Sequence, residues 1–579
     1  MDSSSRIVRF LASVPAFAGL DPAQLNRLYR FTALKVLAKG EAATIAGAAV
    51  AELGIIVSGR VAAHGKETGP EEYGQGAALE AEAFFTQRPA AATFAALRET
   101  VLLTLAWDDL IAAFHASPDL LSACFAKLSR GGAVYASPPS KPARILLCPA
   151  GAKGRFDAAA KDALIASLEN LAEVRLLRRE SFGSLALDAP ETAHWLQEQE
   201  LEFDVTVMVA DGTGTDFAKE AIEQADEVLF FASSGNPALS ELEQHALDRR
   251  GKERCRLVIV KGKSISAKHA AEWIAPRSYR ISQFVDFTSP PAVTLLASAL
   301  LGKGNAIAAT SRGVHAAAIL GALQAFEASG SPAVSLAAAG SAVLPAGLLA
   351  CGVSLAGTEA VFRELANPLV WKRASRPDAG LYEAAPIDSA LASALPGCNI
   401  GFAGRPFAAL SLSLSTDAAH VHREGRIQNA IRPGLAPPGM LAPVILEDGG
   451  ILVSGEGEAE ALIETARQLS ASPLLFLYPN APALGASEMS YRQLAGGSFR
   501  LTPFQSQGAA DKRVRLEAVL GALNRLSLSP SPKHAGLQSF AIPIPEGIGP
   551  MDWSEWARLR DGAFEWASAE IEARALAQA

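Results

Sequence analysis

Between residues 144 and 260, short apolar runs alternate with helix-like segments, and this alternation constrains the fold more than any other feature. Arg144–Cys148, Val205–Val209 and Arg256–Val260 have the length of buried strands, and helical patterns such as Asp157–Ala172 separate them. Strands joined through helices form a parallel sheet with helices on both faces. We therefore predict a multidomain α/β protein with a central parallel α/β domain over residues 144–303.

Composition limits the class of protein. The chain has 579 residues, enough for three to four domains, and is 49% hydrophobic and 19% charged, as expected for globular domains with large cores. Its net charge of −8 provides no basic surface for nucleic acid. The five cysteines are far apart, with neither a disulfide framework nor a metal-ligand spacing. We predict a cytoplasmic protein without metal or other cofactor, and the N-terminus resembles no secretion signal.

The segment from Ser331 to Thr358 contains no charged residue and is longer than a membrane span of about 20 residues. It also contains six glycines and prolines, which suit turns better than a lipid-facing helix. We interpret it as a buried strand that runs into a packed helix. Any membrane contact is then at most peripheral, at the inner membrane.

The run Gly321–Val343 contains Ala338-Ala-Gly340-Ser-Ala342 and resembles, without a gap, the helix, strand and nucleophile elbow of patatin-like serine hydrolases. This register puts Gly340 at the nucleophile position. Glycine can form the turn but has no oxygen with which to attack. The alternative is Ser341 as nucleophile after a slip of one residue, which would bring the β-branched Val343 into the turn.

The run Pro437–Glu456 resembles the part of the patatin family that carries the catalytic aspartate. Asp448-Gly449-Gly450 falls on a hairpin turn, where Asp-Gly is common for structural reasons. Ser454 falls on the family's aspartate position. Both members of the dyad are thus expected to be replaced, and Asp448 remains the alternative base.

The loop that supplies the oxyanion donors in the patatin family is also altered. Relatives have several consecutive glycines there, whereas residues 305–318 contain one, Gly313. The resemblance leaves two alternatives for the family's arginine position, a remnant Arg312-Gly313 pair or His315. A shortened loop that still functions is a further possibility.

Residues 17–25, with Asp21 as helix cap before Pro22, are followed by short strand-like runs and glycine turns that resemble a cyclic-nucleotide-binding domain. Members of that family pair the cyclic phosphate with an arginine, and Ala90 stands at its position. Glu80 or Glu82 either meets a ribose after a shift of register, or both are solvated loop acids. We expect no useful cyclic-nucleotide binding.

This order of segments resembles the bacterial neuropathy-target-esterase family. The resemblance implies an N-terminal β-roll of cyclic-nucleotide-binding type, a central parallel α/β domain and a C-terminal patatin-like α/β domain. The expected segments are a cyclic-nucleotide-binding-like domain at 1–135, a proline-rich linker at 136–143, the intermediate α/β domain at 144–303, the patatin-like core at 304–480 and a C-terminal helical part at 481–579.

Intact members of this family hydrolyse lysophospholipid esters with a serine and an aspartate. Because both positions differ here, the expected function is lipid sensing or regulatory pairing by an inactive homologue. The alternative is an active lysophospholipase that uses Ser341 and Asp448. The inactive homologue would have a lipid or lysophospholipid ligand and a protein partner such as an active paralogue. The sequence determines neither the lipid, the partner nor the oligomeric state.

Two other groups of residues receive structural interpretations. Gly212-Thr-Gly-Thr and Ser233-Ser-Gly-Asn follow strands, but neither is a complete nucleotide-binding motif, so both are interpreted as turns. Isolated histidines are mostly surface or core residues. No role is assigned to His115, His194, His315, His420 or His422.

Overall fold

The fold has three parts, each built on its own sheet system. The structure is a computed structural model, and it describes residues 8, 10–12, 14, 17, 20–64, 71–116, 142–183, 190–211, 216–262, 267–374, 382–395, 397–436, 440–446, 449–480 and 537–578.

The N-terminal part is a β-roll of two antiparallel four-stranded sheets, in the orders β1-β8-β3-β6 and β2-β7-β4-β5. The Asp21 carboxylate accepts a hydrogen bond from the backbone N–H of Gln24, so Asp21 caps the first helix. The elements are β1 (Ala33–Leu37), β2 (Ala42–Thr44), β3 (Glu52–Ser58), β4 (Val61–His64), β5 (Glu71–Tyr73), β6 (Ala78–Leu79), β7 (Thr93–Ala96), β8 (Thr100–Ala106), α1 (Pro22–Tyr29), α2 (Ala81–Thr86) and α3 (Trp107–Ala116).

The central part is a six-stranded sheet in the order β10-β11-β9-β12-β13-β14, and all of its strand pairs are parallel. Helices α4 and α9 pack on one face and α5 to α8 on the other. The elements are β9 (Arg144–Pro149), β10 (Val174–Leu177), β11 (Val205–Val209), β12 (Glu227–Ala232), β13 (Cys255–Val260), β14 (Ile281–Val285), α4 (Ala158–Leu171), α5 (Pro190–Glu202), α6 (Asp216–Gln224), α7 (Glu241–Arg250), α8 (Ala267–Ile274) and α9 (Pro290–Leu300).

The C-terminal part is an eight-stranded mixed sheet in the order β19-β20-β17-β16-β15-β21-β22, with β18 paired to β17. Its elements are β15 (Asn305–Ser311), β16 (Ala333–Gly340), β17 (Phe407–Ser413), β18 (Ala418–His422), β19 (Val444–Ile445), β20 (Ile451–Ser454), β21 (Leu474–Asn480), β22 (Gln538–Pro543), α10 (Ala316–Ala328), α11 (Val343–Ala350), α12 (Leu355–Leu365), α13 (Ala384–Ala394), α14 (Ile427–Gly434), α15 (Ala459–Leu469) and α16 (Trp556–Gln578). The predicted fold class, a β-roll followed by two α/β parts, is confirmed.

The uncharged segment forms the centre of this sheet. Strand β16 is buried along its whole length and leads into α11, which is buried at seven of its eight residues. Within the described part of the chain, no helix is long and apolar enough to cross a bilayer.

The predicted C-terminal segment contributes a strand as well as a helix. β22 pairs in parallel with β21, and α16 packs along α10. The two helices approach closely at Gly321, where an added Cβ would lie 2.1 Å from the carbonyl oxygen of Arg560. The domain bounds themselves stay a prediction.

Buried ion pairs join the β-roll to the amino ends of the central strands. Arg98 of the β-roll contacts Asp226 at 3.2 Å and Glu200 at 2.9 Å, and Arg144 also pairs with Glu200. Burial opposes ionisation of Asp226, but Arg98 and Arg60 hold its pKa below the usual value. Removing one partner would leave a buried charge uncompensated, so this contact fixes the two parts together.

In the C-terminal part, the carboxyl ends of β15, β16 and β20 lie at the same level of the sheet, beside β17. Ser311 of β15 lies opposite Gly340 of β16, and Ser411 of β17 lies opposite Ser454 of β20. Residues separated by more than 100 positions in the chain therefore come together at one edge of the sheet. This edge carries the candidate site.

Candidate functional site at the elbow after strand β16

Gly340 ends β16 in a left-handed backbone conformation, with φ of 63°. The chain turns from it directly into α11, which begins at Val343. A strained strand-to-helix turn of this kind is where a nucleophile elbow presents its serine. Here the turn carries a residue without a side chain.

The space beside Gly340 is occupied by Glu456, which received no role in the prediction from sequence. A Cβ built on Gly340 would lie 2.2 Å from the carbonyl oxygen of Ser311, 3.0 Å from Cβ of Glu456 and 3.4 Å from its Oε2. The first distance is far below van der Waals contact. No L side chain fits at Gly340 unless the surrounding backbone moves.

Ser454, at the family's aspartate position, bonds to this same glutamate. Its hydroxyl lies 3.2 Å from the carbonyl oxygen of Gly434 and hydrogen-bonds to Oε2 of Glu456. Both side chains are buried, at 1% and 5% exposure. The structure thus brings Gly340, Ser454 and Glu456 together.

Burial raises the pKa of Glu456 from 4.5 to about 7, and Arg312 opposes the shift. Nε of Arg312 lies 3.3 Å from the second carboxyl oxygen, Oε1, and the arginine side chain is 43% exposed. The hydroxyl of Thr310 also donates to the backbone carbonyl of Glu456 at 3.2 Å. Ser454 and Arg312 therefore hold the carboxyl group from both sides. With a pKa of about 7, this group is partly protonated at neutral pH.

Ser341, the alternative nucleophile, bonds to another hydroxyl instead of a base. Its Oγ lies 2.9 Å from Oγ of Ser311, and its backbone N–H donates to the carbonyl of Ser311 at 3.0 Å. Asp448, the alternative base, lies outside the described residues. The hairpin around it is described: Leu446 N–H donates to the Gly450 carbonyl at 2.8 Å between β19 and β20.

The loop expected to supply oxyanion donors is bound to the chain's own carbonyl groups. The N–H of Val314 donates to the carbonyl of Pro550 at 2.8 Å, and the N–H of His315 donates to that of Arg312 at 3.0 Å. The His315 ring is buried, with Nε2 3.2 Å from the carbonyl of Ile548. Of the two candidates for the family's arginine position, only Arg312 reaches the Gly340 site.

The expected phosphate position of the β-roll, around Ala90, is also filled from within. Ala90 is buried at 5% exposure and has no charge to offer. Glu80 is not a solvated loop acid: its Oε1 accepts hydrogen bonds from the N–H groups of Ala91 and Ala92, both at 3.0 Å. Nothing is described of the Glu82 side chain.

A glycine-containing loop follows β9, which is the first strand of the central part in chain order. This loop also donates a hydrogen bond to a carboxylate of the protein itself. The N–H of Gly151 donates to Oε2 of Glu243 at 2.8 Å, and Arg277 pairs with the same buried carboxylate at 2.7 Å. Ser233 donates to the carbonyl of Arg155 at 2.8 Å, which fits its interpretation as a turn residue. Gly212–Thr215 lie outside the described residues.

The two neighbouring histidines of β18 form a contact that the sequence pattern did not reveal. Nε2 of His422 lies 3.0 Å from Oγ of Ser411, and the rings of His420 and His422 are 4.6 Å apart. Burial, with a smaller effect of His420, lowers the pKa of His422 to about 4, so its ring is neutral at physiological pH. In the described ranges, no group of three or more His, Cys, Asp or Glu side chains could hold a metal ion.

Two cysteines far apart in sequence also meet. Cys351 at the end of α11 and Cys398 hydrogen-bond to each other, which lowers the pKa of Cys398 to about 7 and raises that of Cys351. Cys148 and Cys255 are buried, and burial raises the pKa of both thiols. Cys398 is therefore the thiol most prone to ionise among these four.

Residues 161–291 match the family described as the Neuropathy Target Esterase family P-loop like domain. Over these residues the chain is similar to the neuropathy-target-esterase family. The predicted resemblance to this family is confirmed. None of the curated proteins is significantly similar to the chain in sequence.

Several solved structures are similar to about a fifth of the chain. The N-terminal domain of a transcriptional regulator from Streptomyces coelicolor A3(2) is 25% identical over 21% of this chain and 88% of its own, with a TM-score of 0.20. The sensor domain of the regulator DNR from Pseudomonas aeruginosa is 23% identical over 22% and 91%, with a TM-score of 0.20. A cyclic nucleotide-binding-like protein from Brucella abortus is 24% identical over 19% and 97%, with a TM-score of 0.17.

Proposed function

We propose that this protein is a catalytically inactive patatin-like protein that acts in lipid sensing or as a regulatory or scaffold partner. One observation carries the proposal. Gly340, at the elbow, has no nucleophile, and the carbonyl oxygen of Ser311 and the Glu456 side chain occupy the space that a side chain there would need. A fold does not carry its chemistry when the reacting groups are replaced.

The base position supports the same conclusion. Ser454 presents a hydroxyl where the family has a carboxylate, and a serine hydroxyl is not a proton acceptor of useful strength at neutral pH. Glu456 does not restore a dyad, because the residue that it faces is Gly340 and its two oxygens contact Ser454 and Arg312. The site therefore contains a carboxyl group but no nucleophile at the elbow position.

Stabilisation of an oxyanion is also reduced. Acyl transfer needs N–H donors aimed at the position of the developing negative charge, and loss of one such donor lowers the rate roughly 100- to 1,000-fold. Here the N–H of Val314 is already bonded to the carbonyl of Pro550. This loop would have to move before it could serve a substrate.

The competing function is lysophospholipid hydrolysis by Ser341 with Asp448. The hydroxyl of Ser341 is buried at 1% exposure and bonds to Ser311, so it is neither activated by a base nor open to a substrate. We give this function second place for that reason.

We also propose where the protein acts and what it binds. A lipid or lysophospholipid is the proposed ligand, and an active paralogue is the proposed kind of protein partner. The proposed location is the cytoplasm, with at most peripheral contact at the inner membrane. These proposals follow from the family resemblance and from elbow residues that keep the fold without the catalytic groups.

The test is hydrolysis of lysophosphatidylcholine and of short p-nitrophenyl esters by the purified full chain, with Ser341→Ala as the matched control. We expect equal, background rates for both proteins. Hydrolysis that is lost in Ser341→Ala would refute inactivity. Cosedimentation with phosphatidylcholine vesicles containing lysophosphatidylcholine, and affinity purification from the native host, test sensing and pairing. If the chain binds neither vesicles nor a partner, both proposed roles fail.

A further inference from the structure

Glu80 has an unusual backbone conformation for a long side chain. It lies between β6 and α2 in the left-handed region, with φ of 51°. This region is unfavourable for residues other than glycine, so surrounding contacts must maintain it. The side chain of Glu80 makes no capping bond to α2, although Glu80 directly precedes that helix. Its carboxylate is used elsewhere.

The carboxylate of Glu80 binds two consecutive backbone donors. The N–H groups of Ala91 and Ala92 both point at Oε1, each at 3.0 Å. Successive N–H groups that converge on one oxygen form an anion-binding concavity, and bonds to a charged acceptor are stronger than neutral ones. The carboxylate therefore has the surroundings of a bound anion.

These donors are held in place independently of Glu80. The N–H of Ala90 donates to the carbonyl of Ala48 and the carbonyl of Ala90 accepts from Gly47, both at 2.8 Å. On the following strand, the Thr93 hydroxyl accepts from the N–H of Ala46 at 3.0 Å. Because neighbouring backbone fixes the turn on both sides of Ala91 and Ala92, their N–H groups keep their direction when the carboxylate is absent.

The concavity is open to solvent on one side. Ala91 is exposed and Glu80 is half-buried, whereas Ala92 is buried. An external oxyanion of similar size can therefore reach the two donors once the carboxylate is gone. A tethered carboxylate has an effective concentration in the millimolar range or above, and a free anion must overcome this to displace it.

We infer that the N–H groups of Ala91 and Ala92 form an oxyanion site whose resident ligand is the protein's own Glu80 carboxylate, which excludes the phosphate group of an external ligand. This inference concerns the β-roll and is independent of the chemistry at Gly340. The absence of an arginine at Ala90 then explains only part of the expected failure to bind a phosphate. The internal carboxylate accounts for the rest.

The experiment measures binding of inorganic phosphate to the full chain by calorimetry and by thermal shift. The main variant is Glu80→Gly, since glycine keeps the left-handed backbone while the carboxylate is lost. The matched control is Glu41→Gln, because Oε2 of Glu41 accepts a single N–H, that of Ala38, at 2.9 Å on the same β-roll. Cyclic AMP is the second probe.

We expect Glu80→Gly to bind phosphate in a saturable way, with a half-saturation concentration at least tenfold below that of the wild type and of Glu41→Gln. Equal phosphate binding by all three proteins, or none by folded Glu80→Gly, overturns the inference. If Glu80→Gly does not fold, Glu80→Asn carries the test, because asparagine tolerates the left-handed backbone, has no charge and has a side chain one methylene shorter. The same order of affinities is expected with cyclic AMP.

Discussion

Replacing Gly340 with alanine measures how tightly the elbow is closed. Left-handed backbone costs about 1–2 kcal/mol for a residue with a Cβ. Insertion of a methyl group into a packed core costs roughly 1–3 kcal/mol more, and the added Cβ would lie 2.2 Å from the carbonyl oxygen of Ser311. We therefore expect Gly340→Ala to lower the free energy of unfolding by about 2–5 kcal/mol.

Gly352→Ala separates the two causes of this loss. Gly352 also has a positive φ, 74°, but a Cβ built on it meets nothing within 4 Å, so only the backbone cost applies. In urea and thermal unfolding, the free energy of unfolding of Gly340→Ala should be lower than that of Gly352→Ala by roughly 1–3 kcal/mol. The corresponding difference in melting temperature is about 2–12 °C for a domain of this size. Equal destabilisation of the two variants would refute the conclusion that the elbow has no room for a side chain.

The same site and the cysteine pair lead to three more expected outcomes. Gly340→Ser with Ser454→Asp should not hydrolyse lysophosphatidylcholine, because the new Cβ would lie 2.2 Å from the carbonyl oxygen of Ser311. Adding Glu456→Ala leaves that oxygen in place, so the triple variant should be equally inactive; a measurable rate in either variant would contradict this. Because the folded pKa of Glu456 is raised from 4.5 to about 7, the folded state keeps a proton that the unfolded chain releases. Stability should thus fall as the pH rises from about 5 to 7, and Glu456→Gln should remove about 3 kcal/mol of that fall in melts at pH 5 and 8. Cys398 should react first with iodoacetamide at pH 7, as read by peptide mass spectrometry, and Cys351→Ser should slow it; equal labelling of the other described cysteines would contradict this.

The sheet architecture could be predicted because buried parallel strands leave a local signal. Strands β12 and β13 contain the unbroken apolar runs 228–232 and 257–260, a helix separates them, and each strand is buried along its whole length in the structure. The turn at Gly340 was also readable, since small residues on both sides of it and the uncharged segment around it are local features. The local sequence pattern was sufficient to predict an element wherever a whole apolar segment is buried.

The contacts that define the sites were not predictable in this way. Glu456 stands two positions after Ser454, and its one local signal is that a charged residue closely follows an apolar strand. Its contact with Gly340 depends on how three strand ends meet. Glu80 is similar, because its carboxylate reaches N–H groups 11 and 12 residues away through a left-handed turn. Arg98 and Asp226 pair across two parts of the fold. Such pairings are set by the tertiary structure and leave no periodic pattern in the sequence.

The central claim is that the elbow contains no activated serine, and labelling with a fluorophosphonate tests it most directly. The purified full chain is incubated with the probe beside an active serine hydrolase, and any adduct is mapped by peptide mass spectrometry. We predict no adduct on the chain, because Gly340 has no hydroxyl and that of Ser341 bonds to Ser311. A stoichiometric adduct on Ser341 that disappears in Ser341→Ala would contradict the account.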